Sequence, residues 1–104
     1  MKESEYLSEM YQDSYYPDFL VDKIKAALKE VAAILENGET NITVVQAALD
    51  KAVLAINDLV EEFEDNDSEL ETVARESIAV TVQKMLESYH INIDLEEALR
   101  ERDW

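Results

Sequence analysis

The chain has 104 residues, with 25 acidic against 9 basic side chains and a formal net charge of −16. One glycine, one proline and no cysteine exclude disulfides and thiol chemistry and leave too few turn residues for a sandwich or barrel, while abundant Ala, Leu, Glu, Lys and Gln favour helices. The charge argues against direct binding to nucleic acid or an anionic membrane and suits a basic protein partner.

The length fits one domain, residues 1–104. A short helix is predicted over 4–12, with Ser4 as its cap and Tyr6, Leu7, Met10 and Tyr11 on one face. Tyr15, Tyr16 and Pro17 end it, because proline disfavours helix at the preceding residue and suits the start of the next. A second helix follows from about Pro17 to Asn37, with Leu20, Ile24, Ala27, Leu28, Val31 and Leu35 as its apolar stripe. Its lysines, Lys23, Lys25 and Lys29, make it the one electrically balanced stretch, and Gly38 suits a left-handed helix end.

A third helix is predicted from Thr43, where Thr43 and Gln46 form a capping box and Ile42 and Ala47 a hydrophobic staple. Val45, Leu49, Ala52, Ile56, Leu59, Val60 and Phe63 carry its stripe. The small residues Ala47, Ala48, Ala52 and Ala55 would permit close helix approach, and Asn66 closes the element. The longest pattern starts at Ser68, which with Glu71 reads as another capping box. Leu70, Ala74, Ile78, Val82, Met85 and Tyr89 then line one face. Val73, Val80 and Leu86 lie off that stripe, which predicts a central helix covered on more than one side. The short turn before it makes helices three and four antiparallel neighbours. Asp94 and Glu97 cap a fifth helix over about 94–102, with Ile93 and Ala98 as its staple. Trp104 is expected to fold back onto the bundle. The sum is an all-α, up-down-up bundle of three long helices with short helices at both termini, the terminal ones covering helix two.

Three blocks, YYPDFLVDKIKAAL (15–28), FEDNDSELETVARESI (63–78) and the terminal Arg102-Asp103-Trp104, resemble a family of small bacterial single-domain proteins of unknown function. The resemblance implies a small bacterial protein and carries no activity, cofactor, partner or site residue with it. No apolar run approaches the roughly 18 residues of a membrane span. The N-terminal MKESEYLSEM lacks the apolar core of a signal peptide. A cytoplasmic protein is expected.

Candidate chemistry is sparse. Asp65, Asp67, Glu69 and Glu76 fall at calcium-loop spacing, but Leu70 stands where that loop needs glycine. Glu87 and His90 form one Glu-x-x-His pair, half of what a di-iron bundle needs, and His90 is the only histidine. No nucleophile elbow or glycine-rich phosphate loop is present, so neither an enzyme nor a cofactor is indicated. Two surfaces are left. The acidic block Glu61, Glu62, Glu64, Asp65, Asp67, Glu69 and Glu71 contains no basic residue and is a candidate edge for a basic protein partner, or for mimicry of nucleic-acid phosphates. Its bland alternative is a solvated helix junction, whereas the alternative for the calcium-spaced Asp65, Asp67, Glu69 and Glu76 is a capped helix start with a dipole-friendly acidic first turn. The aromatic cluster Tyr11, Tyr15, Tyr16 and Phe19 is a candidate for self-association as a homodimer. A small-ligand- or metal-binding pocket between helices is a further alternative. Arg75, four residues after Glu71, is expected to meet a carboxylate on helix two or three.

Overall fold

Three helices carry the architecture of the computed structural model, which describes residues 1–104. They are α2 (Asp18–Glu36), α3 (Ile42–Asp65) and α4 (Thr72–Ser88), running up, down and up, with α1 (Ser8–Tyr11) and α5 (Leu95–Ala98) short at the two ends. A 3-10 turn at Glu3–Glu5 comes first, and no strand is present. The all-α bundle is the one that the apolar periodicity predicts. No helix is long and apolar enough to cross a membrane.

All three long helices stop by the same device. Gly38, Asp67 and His90 hold left-handed backbone just past the helix end, at φ of 90°, 59° and 56°. Their N–H groups donate to Leu35, Glu64 and Glu87 carbonyls at 3.0, 3.1 and 3.2 Å, and the next N–H groups donate to Ile34, Phe63 and Leu86 at 3.1, 2.9 and 2.9 Å. This is the Schellman pattern, which satisfies carbonyls that the helix leaves orphaned. Glycine adopts the conformation freely, whereas aspartate and histidine do so against their own Cβ.

The starts differ from the expected capping boxes. Asn41, not Thr43, caps α3: its Oδ1 accepts the N–H groups of Thr43 and Val44 at 2.9 and 3.3 Å. Glu71 occupies the N-cap of α4 without capping through its side chain. Ser68 instead completes the preceding Schellman turn, and its Oγ is buried with no hydrogen-bond partner. The predicted first helix is interrupted at Leu7, which sits in left-handed backbone at φ 55° because its N–H is committed elsewhere, to Thr81 Oγ1 at 3.1 Å. The fifth helix is one turn, and Asp94 stands at its N-cap with no cap bond.

One cluster of 26 buried apolar residues runs through the molecule, from Tyr6, Leu7 and Met10 through the long helices to Ile91, Ala98 and Leu99. α2 and α3 make the closest helix pair, whereas α4 makes its nearest backbone approach to α1 and α5. Helix four shares the core cluster with α3 but approaches it less closely than α2 does. Val73 and Val80 are exposed, so its outer face is open there; Ser77 and Thr81 are buried under the N-terminal segment. The termini also divide their work. α1 packs on α2 and α4, whereas α5 packs chiefly on α3 and α4. Of the small residues on α3, Ala52 is buried and Ala47 and Ala55 face solvent.

The C-terminus is pinned to α3. Asn57 donates from Nδ2 to the Glu101 carbonyl at 2.7 Å and accepts the Asp103 N–H at 3.2 Å. Trp104 folds back half-buried against the core, with the Arg102 guanidinium 5.7 Å from its ring centroid.

Candidate functional site

The acidic block is split by the helix boundary in a way that changes its electrostatics. Glu61, Glu64 and Asp65 lie exposed in the last turns of α3, and Asp67 and Glu69 lie exposed in the turn that follows. The last turn of α3 contains no basic residue, and the first turn of α4 contains no acidic one. A helix C-terminus carries partial negative charge, so carboxylates there are repelled by the macrodipole as well as by one another. The dipole-friendly helix start does not hold for Asp65, which ends α3, and no acidic residue stands in the first turn of α4. Glu71 alone stands at the N-cap of α4.

Within the block, Glu62 differs from its neighbours. Both its carboxylate oxygens accept from Lys23 Nζ, each at 2.8 Å, which ties the end of α3 to α2. The other lysines of α2 are also spent inside the chain. Lys25 and Lys29 both reach Glu3, whose carboxyl is pulled down to about 2 by those two bonds, Lys25 first. The same ammonium groups lie over aromatic rings, Lys25 5.6 Å from the Tyr11 centroid and Lys29 5.7 Å from that of Tyr6. The basic stretch thus fastens the N-terminus, and Glu62 is the only member of the acidic block with an ion-pair partner.

The aromatic cluster separates into core and surface. Tyr16 is 3% exposed and packs edge-on to Phe63, centroids 6.5 Å apart at 72°. Tyr11 is half-buried; its hydroxyl donates to Asp22 Oδ1 at 2.5 Å, and burial and then that bond push its phenol upward. Tyr15 at 39% and Phe19 at 52% are the exposed members. Tyr15 stands edge-on to Tyr16, centroids 5.1 Å apart. Desolvation, then the charges of Glu71, Glu69 and Asp13, raises its phenol, which puts it beside the acidic turn. A shallow depression between Asp13, Tyr15, Tyr16, Glu71, Val73 and Arg75 joins the two features. Glu71 of the acidic block and Tyr15 and Tyr16 of the aromatic cluster, far apart in sequence, meet in this depression, where Tyr16 anchors the 13–16 turn on Phe63. Arg75 lines this depression and forms no ion pair, contrary to the expected bond to helix two or three.

A second concavity lies at the other end of α3. About 490 Å³ opens between the start of that helix and residues 92–100. One wall is a polar network: Arg100 donates from Nε and Nη2 to Asp50 at 3.1 and 2.6 Å and from Nη1 to Glu97 at 2.9 Å. The Arg100 bonds are the first cause holding the Asp50 carboxyl below its ordinary value. Gln46, read from sequence as part of a capping box, is instead a buried bridge. Its Nε2 donates to Asp50 Oδ1 and to the Glu97 carbonyl, both at 2.9 Å. A polar residue next to Val45 and three before Leu49 on the buried side of α3 is the sequence signal for this bridge.

No group of three or more His, Asp or Glu side chains converges as metal ligands would. The calcium-spaced residues do not form a loop of that kind: residues 66–68 close α3 in a Schellman turn, Leu70 is buried in the core where the loop needs glycine, and α4 already begins at Thr72.

The fold and these surfaces define a small, strongly acidic helical-bundle protein. A family model described as a family of unknown function (DUF5713) matches residues 1–104, the whole chain, and the chain belongs to that family. No curated protein and no solved structure matches it.

Proposed function

We propose that the chain is a non-enzymatic protein-binding module of the bacterial cytoplasm, and that it captures a basic partner on the acidic edge formed by Glu61, Glu64, Asp65, Asp67 and Glu69. The single observation that carries this reading is the placement of those carboxylates. Glu61, Glu64 and Asp65 crowd a helix C-terminus where the macrodipole opposes them, Asp67 and Glu69 follow in the adjoining turn, and none of the five has an ion-pair partner. A cationic surface would relieve that repulsion on docking and would be steered toward it before contact. Tyr15 and Phe19 add exposed aromatic area, the residue class that anchors interfaces. The cysteine-free composition suits a reducing compartment.

The test is a tagged pull-down from bacterial lysate at low and high salt, run with three proteins. These are the wild type, an edge variant (E61Q, E64Q, D65N) and a distal variant of equal charge (E9Q, E87Q, E96Q). A basic protein captured at low salt by the wild type and the distal variant, and lost by the edge variant, supports the proposal. Equal loss in both variants would reduce the effect to net charge, and a blank from the wild type at both salts would remove the edge as a docking site.

A further inference from the structure

The cleft at the start of α3 has the makings of a ligand site independent of the acidic edge, from which it is separated by about 25 Å of helix, Gln46 to Phe63. Its volume, about 490 Å³, lies in the range of small-molecule sites. Ile42, Ala47 and Ile93 give it an apolar side. Three carboxylates, Asp50, Asp94 and Glu97, line it with one cation, Arg100, and that cation is already shared between Asp50 and Glu97.

The Thr43 hydroxyl and the Asn92 amide, which also line the cleft, are exposed and form no hydrogen bond, and two acceptors remain unengaged beside them. Asp94 has the extended backbone of an N-cap residue, φ −63° and ψ 140°, but its carboxylate caps no N–H and forms no ion pair. Gln46 is the second. Its two neighbours, the Asp50 carboxylate and the Glu97 carbonyl, can only accept, so the amide nitrogen must face them. The amide oxygen of this side chain, 8% exposed, is left accepting no hydrogen bond.

We infer that this cleft binds a small amphipathic cation, a primary amine carried on an alkyl body. The alkyl part lies against Ile42, Ala47 and Ile93, and the ammonium donates to the Asp94 carboxylate and the free Gln46 oxygen. An ammonium has three donors and no acceptor, which matches the unpaired Asp94 and Gln46 oxygens in a cleft whose three carboxylates outnumber its one cation. A carboxylate or phosphate ligand would meet the same acceptors unfavourably.

The experiment uses three probes of one body length, n-hexylamine, hexan-1-ol and hexanoate, titrated into the full chain while methyl resonances are followed by NMR. Saturable shifts of the Ile42, Ala47 and Ile93 methyls with hexylamine are expected, about tenfold weaker with hexanol, for which the charge-assisted bond is missing, and absent with hexanoate. Shortening the amine to butyl should weaken binding by up to roughly fourfold per methylene. Asp94→Asn should lower hexylamine affinity toward that of hexanol and leave hexanol unchanged. Ala47→Phe, which fills the apolar side from an exposed position, should abolish both. Equal affinity for amine and alcohol, shifts located only at the acidic edge, or no saturable shift would each overturn the inference.

Discussion

Thr81 accepts the backbone N–H of Leu7 at 3.1 Å and donates its own proton to the Ser77 carbonyl at 2.8 Å, so one buried hydroxyl joins the N-terminal segment to the middle of α4. Leu7 is 1% exposed and held in left-handed backbone, a conformation that costs a side-chain-bearing residue about 1–2 kcal/mol. The hydroxyl makes that geometry tolerable by satisfying an N–H that no helix partner reaches. Thr81→Val keeps the shape and leaves the N–H buried without an acceptor. It should lower stability in urea unfolding by about 1–3 kcal/mol. Thr81→Ser should recover most of that loss, and the Leu7 amide should lose its hydrogen-exchange protection in the valine variant only.

The three helix ends give a controlled comparison. No atom lies within 4 Å of a Cβ built on Gly38, so Gly38→Ala meets no clash and should cost about 1 kcal/mol through the φ of 90° alone. The reverse change at the other two ends should stabilise. His90→Gly should gain about 1 kcal/mol, and Asp67→Gly less, since short polar side chains tolerate this region best. Thermal unfolding of the three variants checks the order, and a loss of stability in His90→Gly would show that the imidazole makes a compensating contact.

These ends also show what could be read beforehand. The period of the apolar residues fixed three long helices because burial of a stripe needs little else. Gly38 was legible as a stop because glycine is favoured in that conformation for a steric reason. Asp67 and His90 were not, since they hold the same conformation only under tertiary constraint. The join between Leu7 and Thr81 was invisible for another reason: it is polar, and polar positions on a helix face read as solvent-facing. Val80 erred in the opposite direction, apolar yet 47% exposed. At the candidate surface, the acidic residues were evident as a block, but their position on the unfavourable end of α3 depended on where α4 begins. That boundary moved from Ser68 to Thr72 once Ser68 was taken into the Schellman turn.

Acid should loosen both termini. The carboxyls of Glu3 and Asp50 are held below their ordinary values of 4.5 and 3.8, by Lys25 and Lys29 in one case and chiefly by Arg100 in the other. The unfolded chain therefore takes up these protons first. Their contribution is present above those ordinary values and is lost as pH falls through the folded ones, about 2 for Glu3. Glu3→Gln should flatten the stability profile between pH 4.5 and 2, and Asp50→Asn should do so below 3.8. A profile unchanged in both variants would mean that neither ion pair persists in solution.

Alkali should act through the tyrosines. Tyr6, Tyr11, Tyr15, Tyr16 and Tyr89 are all raised above 10, with desolvation the first cause in each. The stability they contribute is complete below pH 10 and is lost as pH rises toward the folded values. Absorbance at the tyrosinate band should therefore rise at higher pH in the native chain than in urea. Tyr11→Phe, which removes the hydroxyl held by Asp22, should take away a large share of that separation.

The acidic end of α3 should respond to substitution with opposite signs at adjacent residues. Glu61, Glu64 and Asp65 have no cation and face the negative end of the helix, so neutralising any one should stabilise by about 0.3–1 kcal/mol at low ionic strength. Glu62 holds Lys23 through both oxygens, and Glu62→Gln should instead cost about 0–1 kcal/mol, as exposed ion pairs do. Urea unfolding at low salt and again near 1 M salt checks both, since a Debye length of about 3 Å should erase the gains. If the same three neutralisations that stabilise the fold also abolish capture of a basic partner, the edge trades stability for binding, as functional sites commonly do. If they stabilise and leave capture intact, the charge is a feature of the surface alone.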